Sequence, residues 1–87
     1  MEIDVSKFGE ILVSRPAGRE AFLMAQAYLF SDLKKDEKIL LNFSNVKVLT
    51  PSWADEFITG IHKTYGSAID YLNTQNESVC ASLKAIS

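Results

Sequence analysis

Lys38-Ile39-Leu40-Leu41-Asn42-Phe43, then Ser44-Asn45-Val46, then Thr50-Pro51-Ser52-Trp53-Ala54-Asp55-Glu56-Phe57, is the stretch on which the fold turns. Three aliphatic residues in a row without a charge, Ile39 to Leu41, predict a short strand covered on both faces and therefore central in its sheet. Ser44-Asn45 supply turn residues, and Val46 to Leu49 lead toward a helix. Pro51 suits a first helical position, where its missing N–H has no intrahelical partner, and Thr50 before it can cap. Ser52, with Asp55 three residues on, is a rival cap, and both registers stay open. Ala54, Phe57, Ile58, Ile61 and Tyr65 form a buried stripe, and Gly66 is placed to end the helix.

Upstream, Ser14-Arg15-Pro16-Ala17-Gly18 interrupts extended structure, and a helix is predicted from about Arg19 to just before Lys34-Lys35-Asp36-Glu37. Phe22, Leu23, Ala25, Leu29, Phe30 and Leu33 share one apolar arc of it. Met24 and Tyr28 lie outside that arc and mark a candidate border for self-association or partner contact. Nearer the N-terminus, Ile3 and Val5 alternate with polar neighbours, and Ile11-Leu12-Val13 is an apolar run. With Phe8-Gly9 as a turn between them, they predict two strands in a hairpin. Downstream, Ala68 to Leu72 reads as a strand. Asn73-Thr74-Gln75-Asn76 turns the chain into a last helix carrying Val79, Leu83 and Ile86, with Cys80 near its apolar side as a small core residue. The strand, helix, strand alternation predicts α/β crossover units and a mixed sheet layered with helices.

At 87 residues the chain has room for one core, so residues 1–87 are expected to be a single domain. A hydrophobic content of 47% argues against disorder. Nine basic against eleven acidic residues, interspersed, leave a net charge of −2 and no basic face, which argues against a nucleic-acid partner. A lone cysteine offers no internal disulfide. Glu2, Asp4, Lys7 and Glu10 stand where a secretion signal places a basic end followed by an apolar run. The most apolar stretch, Ala21 to Phe30, is about half the length of a bilayer span and is broken by Gln26. The expectation is a cytoplasmic chain without membrane attachment.

Chemistry is sparse. The only histidine, His62, falls on the polar side of its helix with Asp55 and Thr59, and no nucleophile is fixed beside it, so no enzymatic activity is expected. Spacings for zinc or calcium are missing, and neither a metal nor another cofactor is expected. Asp55 and Glu56 begin a helix whose dipole favours negative charge, at an end of the sheet where a partner can reach them. Arg15, with Gly18 and Arg19, forms a candidate anion site, although no phosphate-loop signature accompanies it.

Ile39 to Phe43, Val46 and Pro51-Ser52-Trp53-Ala54-Asp55-Glu56-Phe57 together resemble the STAS-like domain family of unknown function, a relative of bacterial anti-sigma-factor antagonists. Ser14-Arg15 with an alanine soon after, and Asn73-x-x-Asn76-Glu77-x-Val79, agree with it, so the likeness spans roughly Ile11 to the C-terminus. Asn42 stands where the family usually has aspartate and Trp53 where it usually has phenylalanine. The resemblance implies a sheet of four or five strands with helices packed largely on one face. It also implies non-enzymatic regulation through a protein partner of the histidine-kinase-like ATPase type, docking at Thr50, Ser52, Asp55 and Glu56. In the antagonists a serine at this helix start accepts a phosphate, and Pro51 occupies its place here. The alternative reading is a small anion or nucleotide sensor that binds at Arg15 and Arg19.

Overall fold

The computed structural model describes residues 1–34, 36–66 and 68–86. Its strands are β1 (Glu2–Asp4), β2 (Ile11–Leu12), β3 (Ile39–Asn42), β4 (Val48–Leu49) and β5 (Ile69–Leu72). Helix α1 spans Arg15–Tyr28. Helix α2 (Pro51–Ala54) runs through a π-helical stretch, Asp55–Thr59, into α3 (Gly60–Tyr65), and α4 spans Glu77–Ile86. Among the described residues no helix is long and apolar enough to cross a membrane.

Among the described residues five strands form, but as two sheets, ordered β1-β3-β5 and β2-β4, and every pairing is parallel. The mixed sheet of four or five strands is corrected on both counts. The expected hairpin fails for a local reason. Asp4 caps a 3-10 turn over Val5–Phe8, its Oδ1 accepting the Ser6 N–H at 3.0 Å and the Ser6 hydroxyl at 2.6 Å. Gly9, at φ 132°, then sends the chain away. β1 joins β3 in the larger sheet, and Ile11 and Leu12 pair instead with Val48 and Leu49, which sequence periodicity had merged into the approach to a helix.

β3 is central, as expected, but it is not covered on both faces. Ile39 and Leu41 are fully buried while Leu40 and Asn42 are only half-buried, so one face of the strand carries the core. In register, Leu41 lies between Ile3 and Tyr71 on the core side, and Leu40 lies between Glu2 and Asp70 on the other. Asn42 donates to Glu2 Oε2 at 3.3 Å and accepts from Asn73 Nδ2 at 2.9 Å. An aspartate there would lose the donor and face Glu2 with a second negative charge, which gives the Asn42 departure a physical basis.

α1 begins four residues earlier than expected. Ser14 is its cap, accepting the Ala17 N–H at 3.2 Å, and Pro16 stands in the first turn, so the apparent breaker is a helix start. Its buried residues are Gly18, Ala21, Phe22 and Ala25, and Leu23 is exposed, against expectation. The narrow stripe follows from what α1 packs on: it rests on α2, the π stretch and α3, and one helix surface covers less of a neighbour than a sheet does.

The largest buried side chains are Trp53, Phe43 and Phe57. Trp53 stacks on Phe57 with ring centroids 4.9 Å apart, and Phe8 closes the cluster at 5.2 Å from Phe57. Asn76 caps α4 by accepting the Ser78 and Val79 N–H groups, and its own amide donates to the Lys47 carbonyl at 2.9 Å. Ser78 bonds both the N–H and the carbonyl of Leu49, and the buried Ser82 donates to that same carbonyl. These serines, one turn apart, cover the outer edge of β4. Cys80 is half-buried rather than fully in the core.

Candidate functional site

The helix start after β4 is built by Thr50. Its backbone N–H continues the β2–β4 pairing by donating to the Leu12 carbonyl at 3.0 Å, while its hydroxyl oxygen accepts the Trp53 N–H at 3.5 Å. Thr50 is therefore the cap, Pro51 the first helical residue, and Ser52 is left half-buried without a capping bond. Trp53 and Ala54 turn inward and Asp55 and Glu56 outward. The Asp55 N–H is shared between the Pro51 and Ser52 carbonyls as the helix widens into its π stretch, a distortion that recurs at functional sites.

Two glycines bring α1 onto this helix. A Cβ on Gly18 would lie 2.6 Å from the Trp53 carbonyl oxygen, so the two backbones touch there; a Cβ on Gly60 would meet the Phe22 ring at 3.1 Å. That approach seats Arg15 above the helix start. Arg15 Nη1 donates to Asp55 Oδ2 at 2.9 Å and lies 3.5 Å from Glu56 Oε1. Asp55 Oδ1 accepts the Thr59 hydroxyl at 3.0 Å. The Arg15 hydrogen bond, then that of Thr59, hold the Asp55 carboxyl below the usual carboxylate range, with Lys63 adding attraction. The hydrogen bond to Asp55, with the attraction of Asp55 and Glu56, in turn raises the Arg15 guanidinium.

The docking and anion candidates thus meet in one place. Ser52 and Pro51 share a cavity of about 380 Å³ with Arg15 and Asp55, flanked by the end of α4. Arg19, one turn beyond Arg15, shares a cavity of about 340 Å³ with Arg15, Asp55, Glu56, Thr59 and Lys63, and makes no ion pair among the described residues. Thr50 stays half-buried, its hydroxyl engaged by the cap. Met24 and Tyr28 lie apart from this cluster, exposed at 56% and 79%. Leu23 is exposed beside them, and Met24 borders a cavity that it shares with Ile11 and with the charged Lys7 and Glu20. His62 is exposed, and among the described residues no group of three or more histidine, cysteine or acidic side chains could hold a metal.

Sequence reasoning missed the Arg15 bridge to Asp55 and Glu56, and the part taken by Thr59 and Lys63. The i, i+4 spacing of Asp55, Thr59 and Lys63 along one helical face was the available signal.

A family model described as a STAS-like domain of unknown function matches residues 27–79. That segment contains Tyr28, Thr50, Ser52, Asp55 and Glu56, and begins after Arg15, Arg19 and Met24. Comparison with curated proteins and with solved structures found no match.

Proposed function

The chain belongs to the STAS-like domains of unknown function, and from that premise we propose that it is a non-enzymatic, cytoplasmic regulatory module that works by docking another protein, a histidine-kinase-like ATPase. The observation that supports this reading is the exposed cluster at the start of α2, where Arg15 is held by Asp55 and Glu56 beside Ser52. Charges tied to one another present a fixed pattern that a partner can match, which favours specificity and association rate. Met24 and Tyr28 supply a second, apolar contact surface, through which two copies of the chain pair.

The test is calorimetric titration against the histidine-kinase-like ATPases of the same genome. Asp55→Arg and Glu56→Arg should each weaken binding at least tenfold, while Asp70→Arg, on the far side of the sheet, should leave it unchanged. Binding that ignores both reversals, or no binding by any such ATPase, would sink the proposal.

The alternative, an anion or nucleotide sensor, draws support from Arg19 and Lys63, which face one cavity with Arg15. Against it stand Asp55 and Glu56, which neutralise Arg15 and repel phosphate. Thermal stabilisation by ATP or pyrophosphate that disappears in Arg19→Ala would favour the sensor over the docking module.

A further inference from the structure

His62 and Tyr71, which neither reading uses, line a cavity of about 270 Å³ with Ile58, Thr59, Ile69 and Ile86. Three separate elements supply these walls: the π stretch and α3, the edge strand β5, and the last turn of α4. Three isoleucines make the walls apolar, and three polar side chains converge on them, the combination that distinguishes a small-molecule site from a packing gap.

Two of the three polar groups, Tyr71 and His62, can donate into the cavity, while the Thr59 proton is already engaged. The Thr59 hydroxyl gives its proton to Asp55 and so fixes that corner. Burial pushes the Tyr71 phenol up, so at neutral pH it keeps its proton and can donate it. His62 stands exposed one helical turn from Ile58 and can donate from its ring. Among the described residues no carboxylate lines this cavity, nor the adjoining one of about 360 Å³ that shares Tyr71 and is lined by Lys84. Asp70, the nearest acid in sequence, alternates to the opposite face of β5 and binds Lys38 Nζ at 2.7 Å.

We infer that this cavity binds a small organic acid, its apolar body against Ile58, Ile69 and Ile86 and its carboxylate hydrogen-bonded by Tyr71 and His62. The volume, about 270 Å³, falls just below the range of drug-sized sites, which begin at roughly 300 Å³, so the ligand has one or two rings, or a short branched chain. This assignment is independent of the docking site and stands or falls without it.

Indole-3-acetate, indole-3-acetamide and tryptamine hold the ring constant while the headgroup passes from anion to neutral to cation. In a titration followed by amide NMR, indole-3-acetate should give saturable shifts confined to residues 58–62, 69–71 and 86, with a dissociation constant of about 1 mM or tighter. The amide should bind about tenfold more weakly and the amine not measurably. Tyr71→Phe and His62→Gln, both at exposed positions, should each weaken the acetate severalfold and leave the thermal midpoint unchanged. Three results would overturn the assignment: no saturable shift with the acetate, equal or tighter binding of tryptamine, or shifts that map elsewhere. The headgroup series needs only the unaltered protein, so it decides the matter even if a variant fails to fold.

Discussion

Arg15 Nη1 stands 2.9 Å from Asp55 Oδ2, forty residues away in the chain, and ties the first turn of α1 to the start of the π stretch. Because the folded state holds the Asp55 carboxyl below the usual range, the contribution of this pair is complete above the unfolded pKa, about 4, and fades as pH falls through the lower folded value. Asp55→Asn should therefore melt below the parent protein at neutral pH, and the gap should close in acid. Melting curves taken from about pH 7 to pH 2 check this. Both partners are about half exposed, so added salt should narrow the gap as well. A gap that persists unchanged in acid would assign the loss to packing rather than charge.

Gly18 is the nearest approach of two helix backbones. In an open helix interior, Gly→Ala gains about 1 kcal/mol from propensity. Here the new methyl would lie 2.6 Å from the Trp53 carbonyl oxygen, and the helices must part, an overpacking cost of about 1 to 3 kcal/mol that outweighs the gain. Gly60→Ala meets only the Phe22 ring at 3.1 Å, and a side chain yields more readily than a backbone. Urea unfolding should show Gly18→Ala destabilised, and Gly60→Ala less affected.

Trp53 is the only tryptophan and is 2% exposed, stacked on Phe57 and reached by Phe8. Its emission in the native protein should be blue-shifted and should move to the wavelength of free indole on unfolding. Trp53→Ala opens a cavity in the aromatic cluster and should cost about 3 to 5 kcal/mol, enough to threaten folding of a chain this small. Trp53→Phe, the residue the family usually carries, keeps a ring in place and should cost well under half of that.

Met24 and Tyr28 sit one turn apart on the exposed side of α1, with Leu23 beside them. Replacing both with glutamate removes apolar surface without touching Gly18, Ala21, Phe22 or Ala25, which do the packing. Sedimentation should then show a shift toward monomer at unchanged thermal midpoint. A parent protein that is monomeric at high concentration, together with a partner that ignores the double change, would refute a contact role for this face.

What was legible in the sequence follows the range of the forces involved. The Thr50-Pro51 start, the Gly66 stop at φ 63° and the Ile39–Leu41 strand depend on neighbours within a few residues. The two-residue strands β2 and β4 have no periodicity of their own; only pairing of Ile11 with Val48, 37 positions on, makes them strands. The parallel β3–β5 pair agrees with the crossover pattern, but that β1 and β2 part into two sheets instead of forming a hairpin was out of reach, because it turned on the capped 3-10 turn at Asp4. Leu23 was misplaced because a helical wheel cannot say whether a helix or a sheet will cover it. At the site, each charged residue was visible singly, but the meeting of Arg15 with Asp55 depends on Gly18 and Trp53 touching across the fold.

Pro51 stands where the antagonists' phosphorylated serine would be, and the two hydroxyls beside it are poor substitutes. Thr50 accepts the Trp53 N–H and lies 3.4 Å from the Leu12 carbonyl, so a phosphate there would break the cap and the join between β2 and α2. Ser52 is half-buried in the cavity it shares with Arg15 and Asp55. A phosphate on Ser52 would gain Arg15 only by displacing Asp55 and would meet the repulsion of two carboxylates. Docking should thus be constitutive or governed through the partner, without modification of this chain. Incubation with a histidine-kinase-like ATPase and ATP should leave the intact mass unchanged. A single added phosphate that maps to Thr50 or Ser52 would restore a phosphate switch at this helix start.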